Sequence, residues 1–74
     1  MNLLTTLQRY FPIARAEQRA EAARMAYIAA GEAYRSNPTL ENSRALTLAS
    51  DAFRKAREQY EADRLAWKHL ERAK

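Results

Sequence analysis

The stretch PTLENSRALTLASDAFRKAREQYEADRLAWKHLERAK, residues 38–74, decides the fold because one apolar seam runs through it. The seam positions alternate at spacings of three and four residues, and they are Leu46, Ala49, Phe53, Ala56, Tyr60, Asp63, Trp67 and Leu70. This is the pattern of a helix that packs lengthwise against another helix. At 1.5 Å per residue the stretch spans about 50 Å, which is too long for a helix without lateral support. We therefore expect the rest of the chain to cover this seam.

A second seam, in residues 12–35, predicts the helix that packs on the first. Its positions are Ile13, Ala16, Ala20, Ala23, Tyr27, Ala30 and Tyr34. Seams rich in alanine let two helix axes approach closely, and we interpret Gly31 as a further point of close backbone approach. The short connection makes the two helices antiparallel neighbours. Asn37 is the predicted N-cap of the second helix, with Pro38 at its first position.

The N-terminal segment predicts a short third helix over residues 2–10. A proline disfavours helical conformation in the residue before it, so Pro12 predicts a break after Phe11. The fold class is then all-α, a single domain over residues 1–74. It is an antiparallel hairpin of helices 12–35 and 38–73, with the short helix folded over its open end.

The expected register explains this fold-back. Counting from the turn pairs Tyr27 with Leu46 and Ala20 with Phe53, so the second long helix overshoots the first by about ten residues. The short helix has the length to cover that overhang. The predicted contacts of the overhang join Leu3, Leu4, Leu7 and Phe11 to Ala66, Trp67 and Leu70. Asp63, the one charge on the seam, is expected to pair with Arg9, Arg15 or the hydroxyl of Tyr10.

Composition limits what this chain is expected to do. A chain of 74 residues has a marginal core, and with no cysteine it forms neither disulfides nor thiolate zinc sites. A second copy is the simplest further source of buried area, so we expect a dimeric four-helix bundle. No apolar run is long enough to span a membrane and no secretory signal is evident, so a cytoplasmic protein without membrane contact is predicted.

Enzymatic patterns are missing from the sequence, so we expect no catalytic activity, no cofactor and no metal. His69 is the only histidine, and the chain has neither a glycine-rich phosphate loop nor a Glu-x-x-His pair. The acidic side chains lie beside arginines at helical spacing, which is typical of ion pairs on a solvated surface.

Two groups of residues, all off the seams except Tyr34, are candidates for binding. The apolar group predicts a homodimer interface and comprises Met25, Ile28, Ala29 and Leu48. The basic and aromatic group predicts a partner site and comprises Tyr34, Arg35 and Arg44 by the turn, and Arg64, Lys68 and Arg72 by the open end. The net charge of +4 favours a partner protein with an acidic surface. A nucleic-acid phosphate backbone would satisfy the same charges and stays the alternative.

These features predict a small non-enzymatic protein-interaction module. In size and architecture it resembles phage- or mobile-element-encoded proteins that disable a host protein, which implies an inhibitor or adaptor. It also resembles secretion-system co-chaperones with hairpin folds. A dimer of helical hairpins resembles the plasmid copy-control proteins that grip paired RNA loops, and that resemblance implies RNA binding. The composition, rich in arginine and alanine, is typical of a bacterial or phage genome of high GC content.

Overall fold

The computed structural model describes the backbone of residues 3–72 and the side chains of residues 11–69. It contains two helices, α1 (Leu3–Ser36) and α2 (Leu40–Arg72), which pack against each other as a hairpin. The described backbone contains no strand. The molecule measures 55 × 18 × 12 Å, so its length is that of one long helix and its thickness that of a single layer. The prediction of an all-α hairpin is confirmed.

The predicted seams form the contact between the helices. On α2, the half-buried side chains between residues 44 and 69 are those at the predicted seam positions, and every other side chain in that range is exposed. On α1, Ala16 is buried at 2% exposure, and Ile13, Ala20, Ala23 and Ala30 are half-buried. Tyr27 and Tyr34, which were also predicted seam positions, are exposed at 38%. The three-and-four spacing therefore identified the packed face of α2 in full and that of α1 in part.

The register of the hairpin differs from the prediction by about one turn. The ring of Tyr27 stacks on Phe53 with centroids 6.0 Å apart, where Leu46 was expected. Leu46 instead lies beside Gly31. The reason is that α2 begins only at Leu40, which moves the centre of the turn toward the C-terminus. If this register continues along both helices, Ala16 lies level with Tyr60, and the small alanine leaves room for the tyrosine ring.

The predicted short helix folded over the open end is wrong, because α1 runs without a break from Leu3 to Ser36 and contains Pro12. Proline removes one backbone hydrogen bond, to the carbonyl of Gln8, and this cost weakens a helix without always ending it. The N-terminal residues therefore extend α1 and do not form a separate helix across the open end. The expected side-chain partners Leu3, Leu4, Leu7 and Leu70 lie outside the described side chains.

The turn is built around Thr39, and the prediction of Asn37 as the N-cap is wrong. The Thr39 hydroxyl accepts a hydrogen bond from the backbone N–H of Asn42 at 3.0 Å, and its carbonyl accepts the first helical bond, from Ser43. The side-chain amide of Asn42 donates to the carbonyl of Asn37 at 2.8 Å. Asn37 thus takes part through its backbone and precedes the cap. Asn42 ties the start of α2 to the connection.

Gly31 departs from expectation, whereas of the partners predicted for Asp63 only Arg15 is described, and it is not within ion-pair distance; the side chains of Arg9 and Tyr10 lie outside the described set. A Cβ added at Gly31 would meet only Leu46 Cδ1, at 3.9 Å, which is ordinary contact, so the predicted close backbone approach is wrong. Asp63 is half-buried and accepts a hydrogen bond from the Gln59 side chain at 3.0 Å, one turn earlier on the same helix. Neither helix, over residues 3–72, has an apolar run long enough to cross a membrane.

Candidate functional site

The hairpin leaves most of its large apolar side chains in solvent. Among residues 11–69, Ala16 is the only buried apolar residue. The large exposed ones, at 38–71% exposure, are Phe11, Met25, Tyr27, Ile28, Tyr34, Leu40, Leu48 and Leu65. Exposed apolar side chains that lie together on a small protein mark candidate binding surfaces. The candidate site is therefore a surface with several grooves.

A groove of about 520 Å³ lies near the turn, between the outer side of α1 and the start of α2. We call it the turn-end groove, and its lining residues are Tyr27, Ile28, Gly31, Glu32, Tyr34, Arg35 and Leu46. Gly31 has no side chain to fill the space above Leu46, which leaves the floor of the groove open and apolar. Glu32 and Arg35 supply one charge of each sign. The groove suits a bulky apolar side chain flanked by polar groups.

Two arginines on α2 lie over aromatic rings in the middle of the hairpin. The guanidinium carbons of Arg57 and Arg64 are each 5.7 Å from a ring centroid, over Phe53 and Tyr60 respectively. Each arginine follows its ring by four residues, so the arrangement repeats after one heptad. A cation over an aromatic face is attracted by the ring quadrupole, and this contact holds the guanidinium in a defined place. From the sequence, acidic side chains were expected to pair with arginines at helical spacing, which for Arg57 points to Glu61, four residues on. This repeat was therefore missed, although the spacing of ring and arginine is visible in the sequence.

The open-end half of α2 carries a smaller groove. This open-end groove, of about 190 Å³, is lined by Glu61, Arg64, Leu65 and Lys68. A third groove, of about 340 Å³, lies on α2 near the turn and is lined by Ser43, Arg44, Thr47 and Leu48. The predicted partner residues are thus divided among three places. Tyr34 and Arg35 lie in the turn-end groove, Arg44 in the third groove, and Arg64 with Lys68 in the open-end groove. The side chain of Arg72 lies outside the described set.

The predicted dimer residues do not line one groove. Ile28 lines the turn-end groove, whereas Leu48 lines the third groove on α2. Met25 and Ala29 are exposed on α1 and line neither. The seam has two sides, and Gly31 lies on one of them. Helical spacing places both Ala29 and Leu48 on the other side. Ala29 and Leu48 therefore belong to one face of the hairpin, and Ile28 belongs to the other.

Ion pairs on the described surface are few and local. Arg24 donates to the Glu21 carboxylate at 2.7 and 3.1 Å, and Arg54 lies between Asp51 at 3.8 Å and Glu58 at 3.6 Å. The Arg24 hydrogen bonds, assisted by its charge, hold the pKa of the Glu21 carboxyl below its ordinary value. They raise the pKa of Arg24 in turn. No other described arginine or lysine is within ion-pair distance of a described carboxylate. Arg35, Arg57, Arg64 and Lys68 therefore keep their charges free of described ion pairs.

The chemistry that this surface offers is charge, hydrogen bonding and apolar contact. His69 is exposed, and in the described part of the chain no three His, Asp or Glu side chains lie close enough to hold a metal ion. Comparison with models of protein families, with curated proteins and with solved structures finds no match to this chain.

Proposed function

We propose that this chain is a non-enzymatic protein-interaction module that acts as a homodimer, as an inhibitor or adaptor that occupies the surface of another protein. The observation that carries the proposal is the missing core: one buried apolar side chain in residues 11–69, against eight large apolar ones left exposed. Burial of apolar surface is the main favourable term in folding. A hairpin with this little burial gains stability chiefly by covering its faces with another chain.

The exposed area supports an interface of ordinary size. The chain exposes 6004 Å², whereas a compact monomer of its mass exposes about 4,700 Å². The excess is about 1,300 Å² per chain, so two chains that cover it would bury roughly 2,600 Å² together. Obligate homodimers bury about 2,000–5,000 Å². One second copy is therefore enough to cover the excess.

The face that carries Leu48 is the better one for self-association. Its turn-end half combines small exposed side chains with two large ones, and its residues are Ala22, Met25, Ala26, Ala29, Ala33, Ala45, Leu48 and Ala52. The nearest charge is Lys55, one heptad after Leu48, at the edge of this group. Small side chains let the helices of two copies approach closely here. We call this the dimer face. It retains Met25, Ala29 and Leu48 from the sequence prediction and leaves Ile28 to the turn-end groove.

Light scattering across the micromolar range tests this proposal. We expect twice the mass of one chain for the wild type. Leu48→Glu should give one-chain mass, because two copies would bring a carboxylate each into an apolar contact. Leu65→Glu is the matched control, since Leu65 is a similarly exposed leucine of α2 outside the dimer face, and it should stay dimeric. A wild type with the mass of one chain at every concentration would refute the homodimer.

Nucleic-acid binding is the second candidate, and it is favoured by the net charge of +4 and by the arginines without described ion pairs. Phosphate contacts release counterions, so such binding would weaken steeply as salt rises. Chain purified at low salt should then carry nucleic acid that is lost at high salt. Absorbance at the nucleic-acid maximum, before and after a salt wash, distinguishes this candidate from a protein-binding module.

A further inference from the structure

We propose that the face opposite the dimer face binds an acidic helix of a partner protein, with one bulky apolar side chain in the turn-end groove and carboxylates on Arg57 and Arg64. This inference rests on the proposed protein-binding function and names the site and the chemistry of the partner.

The parts of this site lie on one face of the hairpin. Gly31 follows the seam residue Tyr27 by four positions, just as Arg57 follows Phe53 and Arg64 follows Tyr60. Residues at that offset flank the seam on the same side of an antiparallel helix pair. The turn-end groove and the two arginines therefore form one strip along the hairpin, which we call the arginine face.

The spacing along the strip matches a helix. Arg57 and Arg64 are one heptad apart, about 10 Å along α2. From Leu46 in the turn-end groove to Arg64 the rise is about 27 Å, or five turns. A partner helix that spans the strip needs about 20 residues, with an apolar residue near one end and acidic residues seven apart toward the other.

The charges on this face argue against a second copy of the chain as its occupant. The face as described carries four basic side chains, Arg35, Arg57, Arg64 and Lys68, against the carboxylates of Glu32 and Glu61, so two arginine faces in contact would on balance oppose like charges. Like charges brought together in an interface cost several kilocalories per mole and suppress that pairing. An acidic partner converts the same side chains into charge-assisted hydrogen bonds, for which the ring-held guanidiniums are already placed.

The grooves also favour a protein helix over a nucleic-acid strand. Both carry a carboxylate in their lining, Glu32 in the turn-end groove and Glu61 in the open-end groove. A phosphate backbone is uniformly negative and would be repelled at each of these points. A helix with mixed side chains can set a basic or neutral residue opposite each carboxylate and an acidic one opposite each arginine.

The test uses the full chain, labelled with ¹⁵N, and a synthetic helix-forming peptide of about 24 residues that has the predicted leucine and two glutamates. A matched peptide carries glutamine in place of both glutamates. We expect the glutamate peptide to shift the backbone amide signals of Gly31, Arg57 and Arg64, and to bind about tenfold more tightly than the glutamine peptide.

Two double variants distinguish binding at Arg57 and Arg64 from a general attraction between the basic chain and an acidic peptide. Arg57→Gln with Arg64→Gln should weaken the glutamate peptide about tenfold and leave the glutamine peptide unchanged. Arg15→Gln with Arg19→Gln removes the same net charge from exposed positions of α1 outside both the arginine face and the dimer face, and should change binding less than about twofold, by screening. Circular dichroism confirms that both variants keep the helical hairpin.

Three outcomes would overturn the inference. They are no shift of those three amides, an equal loss in both double variants, or shifts of those amides by single-stranded oligouridine with none by the peptide. If the wild type is dimeric by light scattering but gives one of these three outcomes, the acidic-helix inference is refuted and the homodimer is kept. A one-chain mass with the expected peptide binding refutes the homodimer and leaves the arginine face standing.

Discussion

At the residue scale, the Glu21–Arg24 pair is the clearest electrostatic contact of the described surface, and it makes a prediction about pH. The hydrogen bonds from Arg24 lower the pKa of the Glu21 carboxyl. A group whose pKa is lower in the folded state than in the unfolded state stabilises the fold at pH values above its unfolded-state pKa. That contribution is lost as the pH falls through the lowered pKa. Both side chains are about half exposed, so the contribution is small and screened by salt.

The Arg24→Gln variant should return the pKa of Glu21 to its ordinary value. Side-chain carboxyl carbon shifts measured by NMR across an acid titration report this directly. Arg19→Gln is the control, because it removes the same charge from the same helix without touching Glu21. An unchanged Glu21 titration in the Arg24 variant would mean that the pair does not persist in solution.

Gly31 supports a second prediction at this scale. Its backbone is helical without a positive φ, and an added methyl would meet Leu46 Cδ1 at 3.9 Å, within ordinary contact. Glycine in a helix interior is about 0.5–1 kcal/mol less favourable than alanine. Gly31→Ala should therefore raise the melting temperature by a few degrees, about 4–8 °C per kcal/mol for a domain of this size. Thermal denaturation followed by circular dichroism measures it, and a lower melting temperature would show that the open groove floor matters for stability.

At the scale of the helix, the N-cap of α2 is Asn37 in the sequence interpretation and Thr39 in the structure, and mutation can distinguish the two. Thr39→Ala removes the oxygen that accepts the Asn42 N–H and should cost about 1 kcal/mol of folding free energy. Asn37→Ala leaves the backbone bonds of that residue intact and should cost much less. Urea unfolding of the two variants gives the comparison. The reverse order of costs would restore Asn37 as the cap.

The helices also show what was predictable. The seam from Leu46 to Trp67 was readable because the spacing of apolar residues reports directly which side of a helix is packed. The continuity of α1 through Pro12 was not predictable, because the local preference for a break before a proline competes with the packing of α1 against α2. The predicted register of the two helices was wrong for a related reason. It depends on where the turn is centred, and Thr39 and Asn37 are both good caps by composition.

The candidate site was predictable in composition and less so in arrangement. Tyr34, Arg35, Arg64 and Lys68 do line grooves, as basic and aromatic residues at an interface would. Ile28 and Leu48 were expected together, although their spacing from the two seams places them on opposite sides of the hairpin. The placement of Arg57 over Phe53 was missed because ion pairing with Glu61 was the competing local choice.

At the scale of the whole molecule, the missing core makes stability depend on concentration. If two chains fold together, unfolding separates them, and mass action raises the melting temperature as the protein concentration rises. We expect this rise for the wild type and for Leu65→Glu. For Leu48→Glu we expect a lower melting temperature that no longer changes with concentration. A wild-type melting temperature that is constant over a hundredfold dilution would contradict the dimer independently of light scattering.

The 55 Å length of the hairpin has a consequence for how its mass is measured. The radius of gyration is 16.8 Å, whereas a compact chain of 74 residues has about 11 Å. A globular protein needs roughly 200 residues to reach the observed value. On a gel-filtration column calibrated with globular standards, a single hairpin will therefore elute early and imitate an oligomer through its shape alone. Its rotation in solution will be anisotropic, with amides along the two helices relaxing as in a much larger protein.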